Sequence, residues 1–73
     1  MPSSVHSLHV SAIGPKIREL REAASLTQEG LAHEAGISTS TLSRIERGNY
    51  QPRMDTLRKL AQALKVPVAN LLG

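Results

Sequence analysis

The chain has no cysteine and a single aromatic residue, Tyr50. Without cysteine, neither a disulfide framework nor a thiolate metal site can form. One aromatic side chain is too few for the stacking on which binding of single-stranded RNA or DNA depends. No apolar run approaches the ~18 residues of a membrane-spanning helix, and residues 1–10 lack the basic start and continuous apolar stretch of a signal peptide. We therefore expect a cytoplasmic protein.

The sequence also lacks the residue combinations on which catalysis depends. It shows no serine–histidine–acid constellation and no carboxylate pair placed in a pocket, and a chain of 73 residues has little room for a cleft. His6 and His9 are three positions apart and His33 is distant, but nothing around them would support metal ligands. We expect a protein that is not an enzyme and that holds no metal, no cofactor and no small-molecule ligand.

What the sequence does have is an excess of basic residues, with nine Lys and Arg against six acidic residues and a net charge of +3. This balance suits a polyanionic partner, although many small basic proteins bind nothing anionic. Residues 1–12 show no helical period and predict a flexible arm, whereas residues 13–73 predict one folded domain. Within the arm, the run Ser7–Ser11 alternates with period two, which leaves open a strand that pairs across a dimer.

Gly14 and Pro15 predict the start of the first helix, because proline is favoured at the first helical position. Its expected buried stripe consists of Ile13, Ile17, Leu20 and Ala24. Further along, the pattern predicts a loop over residues 49–52, a fourth helix over 53–64 and a short fifth helix over 67–72. The inward residues of these helices are expected to be Leu57, Leu60, Ala61 and Leu64, then Val68, Leu71 and Leu72.

The segment 26–48 predicts two short helices joined by a glycine turn. Thr27 and Ser38 can each cap a helix by accepting a hydrogen bond from an early backbone N–H. Gly36 lies where a residue in the left-handed region ends the earlier of these two helices, and Gly48 lies in the same place after the later one. The apolar face of the helix between Thr27 and Gly36 consists of Leu31, Ala32 and Ala35.

The second of these helices has two distinct faces. Leu42 and Ile45 are three positions apart and are expected to point inward. The opposite face carries short hydroxyls and arginines: Thr39, Ser40, Ser43, Arg44 and Arg47. Two helices in this layout are typical of a helix-turn-helix, in which the second helix lies in the DNA major groove.

Three strings, IRELREAASLTQEGLAHEAGIS, STLSRIERGNYQP and TLRKLAQALKVPVANLL, together resemble the lambda-repressor-like, or Cro/Xre, family of bacterial and phage helix-turn-helix regulators. The resemblance spans about Ile13 to Leu72 and implies an all-α, compact five-helix bundle. It implies a sequence-specific regulator of transcription that binds double-stranded DNA as a homodimer on a two-fold operator. Such a protein is expected in the cytoplasm of a bacterium or in a phage, associated with the nucleoid.

The resemblance also implies roles for individual residues. Thr39, Ser40 and Arg44 match base-reading positions, and Ser43, which neighbours the phosphates, is grouped with them. The expected contacts with the DNA backbone are Thr27, Gln28, Ser38, Arg47, Asn49, Gln51 and Arg53. Arg53 also stands out on physical grounds, because a cation at the start of a helix opposes the helix dipole and gives no cap, so a function is indicated.

Other matching positions imply structural roles. Arg21 and Glu46 are expected to form a partly buried ion pair between the first and third helices. Gly30 departs from the family, which usually has Glu there, so the capping box after Thr27 is broken and the helix is weakened by up to about 1 kcal/mol. The expected dimer interface consists of Val66, Val68, Leu71 and Leu72. Two alternative functions stay open: an antitoxin that autoregulates its operon, and the controller protein of a restriction-modification operon.

Overall fold

Helix caps and glycines divide the chain into five α-helices in a computed structural model, which describes the backbone of residues 2–72 and the side chains of residues 13–72. The helices are α1 (Pro2–Ala23), α2 (Gln28–Ala35), α3 (Thr39–Glu46), α4 (Met54–Leu64) and α5 (Ala69–Leu72). Over this part of the chain no strand is formed, which confirms the expected all-α bundle of five helices. None of the described helices combines the length and apolar character needed to cross a membrane.

The first helix is longer than the sequence predicted, since α1 runs for 22 residues from Pro2 instead of beginning at Gly14 and Pro15. Pro2 suits a helix start, because the N–H that proline lacks has no helical partner at that position. The strand alternative for Ser7–Ser11 was wrong, because the backbone there is helical. The division of residues 1–12 from the domain stays a prediction, since Met1 and the side chains of residues 2–12 lie outside the described part.

Gly14 does not begin a helix; it allows two helices to approach. A Cβ atom at Gly14 would lie 2.5 Å from the carbonyl oxygen of Ile45 and 2.7 Å from that of Glu46. Any side chain at this position would therefore push α1 away from the end of α3. Pro15 removes one helical hydrogen bond from α1. The helix nevertheless continues through this point, where its backbone packs directly on α3.

The turn between α2 and α3 is formed by the capping residues and the glycine that the sequence predicted there. Thr27 accepts a hydrogen bond from the Gly30 N–H at 2.9 Å and caps α2. Gly36 ends that helix with φ of 73°, in the left-handed region where a side chain would be strained. Ser38 then accepts from the Thr41 N–H at 3.0 Å and caps α3. All three predictions at this turn are confirmed.

The core draws residues from every helix. Its buried members are Ile17, Leu31, Ala32, Ala35, Leu42, Ile45, Leu57, Leu60, Ala61, Leu64 and Leu71. Leu42 and Ile45 are almost fully buried, as expected, and each burial of this size stabilises the fold by about 1.5–3 kcal/mol. In the first helix, Ile17 is buried while Ile13 and Leu20 are partly buried. Ala24 was wrongly expected in the core; it is exposed, because α1 ends at Ala23 and the chain turns there.

The C-terminal end differs from the prediction in the start of α5 and in the placement of Leu71 and Leu72. Lys65 ends α4 in the left-handed region with φ of 61°, although it is not glycine, and α5 begins only at Ala69. Leu71 is 1% exposed and belongs to the core, so it is not available for the dimer interface in which it was placed. Leu72 was expected to point inward but is 45% exposed. In a helix of only four residues, one leucine fills the core and its neighbour faces outward.

Candidate nucleic-acid interface

The outward face of α3 carries the residues expected to read bases. Thr39, Ser40 and Arg44 are exposed, and Ser43 is partly buried. The inward face is fixed, because Leu42 and Ile45 are anchored in the core on the other side of the helix. Arg47 is exposed immediately after the last residue of α3. The predicted base-reading set therefore lies together on one accessible face, with an arginine near its end.

The capping hydroxyls on either side of the turn are already engaged within the protein. The Ser38 hydroxyl donates to Thr41 Oγ1 at 2.8 Å while it accepts from the Thr41 N–H. The Thr27 oxygen accepts from Gly30. Thr27 and Ser38 are both exposed. Their contacts with the DNA backbone stay predictions. The hydrogen bond between the Ser38 and Thr41 side chains was not predicted from the sequence. The available signal was the position of Thr41, three residues after a capping serine.

The loop before α4 and the first residues of α4 supply the remaining expected contacts. Asn49, Gln51 and Arg53 are all exposed, whereas Pro52 between them is buried and holds the loop against the body. Arg53 is the N-cap of α4, and among the described residues its side chain makes no capping hydrogen bond. Arg53 thus brings a cationic side chain to the residue at the positive end of a helix dipole, with Asp55 as the acidic residue in the first turn to offset it. The unfavourable position inferred from the sequence is present in the structure.

Behind this surface, Arg21 and Glu46 form the expected ion pair. Arg21 Nε donates to Glu46 Oε2 at 2.7 Å, and Nη2 donates to Oε1 at 3.1 Å. The third nitrogen, Nη1, donates to the Leu26 carbonyl oxygen at 2.9 Å. The two side chains are only 11% and 3% exposed. One guanidinium therefore joins α1, the loop before α2 and the end of α3.

This pairing affects the titration of Arg21. The hydrogen bond to Glu46 raises the pKa of the Arg21 guanidinium, against the lowering effect of burial. The pKa of Arg21 is therefore higher in the folded protein than in the unfolded chain. The pair stabilises the fold fully at any pH below the pKa of the unfolded chain, and this stabilisation is lost only as the pH rises through the pKa of the folded protein. That range is strongly alkaline, so this arginine stays charged at neutral pH.

Gln28 lies against the same carboxylate. Its Nε2 donates to Glu46 Oε1 at 3.0 Å, so the side chain bridges from the first turn of α2 to the last residue of α3. Gln28 is partly buried and does not extend freely into solvent. Sequence reasoning placed it as a contact with the DNA backbone and missed this internal bond, because a link between residues 28 and 46 has no local signal.

The chain is similar in sequence to helix-turn-helix proteins. The model of the helix-turn-helix family HTH_3 matches residues 17–71. The uncharacterized HTH-type transcriptional regulator RghRB of Bacillus subtilis is 47% identical over 65 residues, which cover 88% of this chain and 47% of that protein. The HTH-type transcriptional repressor RghR of the same organism is 41% identical over 64 residues, 86% of this chain and 47% of that protein. The chain thus spans about half the length of these two relatives.

One solved structure is similar to this chain over nearly the whole length of the solved protein. The restriction-modification controller protein C.AhdI from Aeromonas hydrophila superposes with a TM-score of 0.83 at 35% identity, over 85% of this chain and 94% of that one. The matched family model covers the C-terminal part of α1 and all of α2, α3 and α4, including the ion pair and the surface described above. The chain belongs to the HTH_3 family of helix-turn-helix proteins.

Proposed function

We propose that this protein binds double-stranded DNA in a sequence-specific manner and regulates transcription, with α3 in the major groove. The observation that carries the proposal is the two-sided build of α3. Leu42 and Ile45 are anchored in the core, while Thr39, Ser40 and Arg44 are exposed on the opposite face. A helix held in this way can enter a groove without rearrangement. The names of RghRB and RghR, which describe a transcriptional regulator and a repressor, support the same function.

Within this function, Arg44 carries most of the direct reading of bases. Its guanidinium can donate two hydrogen bonds to O6 and N7 of one guanine, a contact worth about 1–3 kcal/mol of discrimination. The short hydroxyls of Thr39, Ser40 and Ser43 read bases ambiguously, through a thymine methyl group or a water molecule. Specificity is therefore concentrated at one base pair in each half-site.

Contacts with phosphates position the protein and carry little sequence information. This role falls to Thr27 and Ser38 at the helix caps, Gln28 in the first turn of α2, Arg47 after α3, and Asn49, Gln51 and Arg53 before α4. All of these residues are exposed except Gln28, which is partly buried. The net charge of +3 favours the approach to a polyanion. A protein with this function works in the cytoplasm, at the nucleoid.

The operator is expected to be read by a homodimer. One short helix with a single arginine and a few hydroxyls gives limited discrimination, and two copies on half-sites one turn of DNA apart, about 34 Å, roughly double it. The exposed Leu72, with the partly buried Val66 and Val68 beside it, offers the apolar surface for an isologous contact.

Selection of bound sites from random duplex DNA tests the function directly. The expected result is a two-fold symmetric motif with half-sites one helical turn apart and a guanine at one conserved place in each half. Enrichment of no duplex would contradict the function. A motif without two-fold symmetry would contradict the homodimer alone.

A narrower function, control of a restriction-modification operon, is favoured by the match with C.AhdI, which covers 94% of that controller protein. Such a controller would bind the promoter of its own operon and respond to its own concentration through dimerisation. Measuring expression from the promoter upstream of the chain's own coding sequence, with and without the protein, distinguishes it from a regulator of distant genes.

A further inference from the structure

The carboxylate of Glu46 joins three helices. Glu46 is the last residue of α3, and its side chain is 3% exposed. Two nitrogens of Arg21, on α1, already occupy both of its oxygens at 2.7 and 3.1 Å. Gln28, on α2, adds a third N–H at 3.0 Å. A carboxylate has about four acceptor sites, so it can hold all three donors without strain.

The third bond is not needed to neutralise the carboxylate, because the bidentate pairing with Arg21 does that alone. Its effect is on Gln28. A glutamine amide has two N–H groups in one plane, and donating one of them to Glu46 fixes the orientation of that plane. The second N–H is then held in a set direction in the first turn of α2, where the first backbone N–H groups have no partner within the helix.

We infer that Glu46 is a positioning residue for DNA binding, which acts by holding the amide of Gln28 in the orientation that meets a phosphate. The inference rests on the proposed function and goes beyond it, since Glu46 is buried and is not among the residues proposed to contact DNA. A free glutamine would have to be ordered at the moment of binding, whereas this one is ordered in the unbound protein. That preorganisation is what Glu46 supplies.

A comparison of two pair variants with Gln28→Ala tests the inference. Replacing a buried ion pair by apolar residues of similar volume is often neutral for stability, so Arg21→Met with Glu46→Leu removes the carboxylate from Gln28 while the fold is kept. The matched control is Arg18→Gln with Glu22→Gln. It removes the same two charges from an ion pair on α1 whose side chains are 63% and 57% exposed.

Affinity is measured for a duplex recovered by the selection described above, together with the thermal midpoint of each variant. Gln28→Ala is expected to weaken binding about tenfold in the natural background. The Arg21/Glu46 variant is expected to weaken binding by a similar factor, and adding Gln28→Ala to it should cause no further loss. The Arg18/Glu22 control should bind like the natural protein. Equal effects of Gln28→Ala in both backgrounds would overturn the inference, as would unchanged binding by the Arg21/Glu46 variant.

A second measurement needs no variant to fold. In the ¹⁵N–¹H spectrum of the natural protein, the two side-chain amide protons of Gln28 are followed as the selected duplex is added. One proton should already be shifted in the free protein and should stay in place, while the other moves on binding. Movement of both together would mean that Gln28 leaves Glu46 and would overturn the positioning role. If the natural protein binds no duplex at all, it is the proposed function that fails.

Discussion

Arg53 stands at a helix position where a cation is among the least favourable residues. Serine, threonine and aspartate cap helices at this position, and the N-terminal end of the helix dipole repels positive charge. The backbone of Arg53 has the extended conformation of an N-cap, yet the side chain forms no capping bond within the described part of the chain. A residue that weakens its own helix is typical of functional positions, where stability is exchanged for binding.

Replacing Arg53 by serine should therefore change stability and binding in opposite directions. Arg53→Ser supplies the missing cap and is expected to raise the free energy of unfolding by about 0.5–1 kcal/mol. The same variant should bind all duplexes more weakly and flatten the log–log dependence of affinity on salt by about one unit, because one phosphate contact is lost. Thermal denaturation and a salt titration measure the two effects. Unchanged binding with an unchanged salt slope would remove Arg53 from the interface.

Arg44 should behave differently, because it is proposed to read a base and not a phosphate. Arg44→Ala is expected to cost about 1–3 kcal/mol of affinity on the selected site and to relax the preference at one base pair in each half-site. The side chain is exposed, so the thermal midpoint should hardly move. Repeating the selection with the variant is the measurement. A motif identical to that of the natural protein would mean that another face of α3 reads the DNA.

The contact between helices α1 and α3 depends on Gly14. Its missing side chain lets the backbone of α1 lie against the last carbonyl groups of α3, and Arg21 ties the same two helices together two turns further along. The orientation of α3 is thus fixed at both ends, by the turn at Gly36 and by these contacts at Ile45 and Glu46.

Gly14→Ala is consequently expected to destabilise the fold, although alanine is the better helix former. A Cβ at 2.5 Å from a backbone oxygen cannot be accommodated by a side-chain movement, so the helices must separate, at a cost of about 1–3 kcal/mol. Gly30→Ala is the matched control within a helix. Its Cβ would lie 3.2 Å from the Thr27 hydroxyl, and a change of less than about 1 kcal/mol is expected. Denaturant unfolding compares the two; a neutral Gly14→Ala would contradict this packing.

The elements also show what sequence can predict. The caps at Thr27 and Ser38 and the left-handed Gly36 were predicted correctly, because each signal acts within four residues of chain. The Arg21–Glu46 pair was expected only through a family resemblance. The roles of Gly14 and Gln28 were missed, since both depend on the end of α3, a distant part of the chain. The left-handed conformation of Lys65 likewise has no local signal, because lysine does not favour it.

A homodimer on DNA requires that two copies of the whole molecule come into contact. The body measures 37 × 23 × 22 Å. Two such bodies on half-sites about 34 Å apart are close enough to touch. The correction at Leu71 narrows the surface on which they can do so, because that residue fills its own core. Val66 and Val68 also pack partly inward, so Leu72 is the main exposed apolar residue at this end of the chain.

A charge at Leu72 should separate the dimer and leave the monomer folded. Leu72→Glu exposes a carboxylate in place of an apolar side chain that is already 45% exposed, so the thermal midpoint of a monomer should change little. Burying that carboxylate at an isologous interface would set two like charges against each other without partners, which disfavours association. Sedimentation at tens of micromolar is expected to show dimers of the natural protein and monomers of the variant, and the variant should lose its preference for two-fold sites over single half-sites.

Deleting residues 1–10 should change neither the dimerisation nor the preference for two-fold sites, which separates this interface from one formed by the N-terminal segment. Monomers of the natural protein that bind half-sites as tightly as two-fold sites would contradict dimerisation altogether.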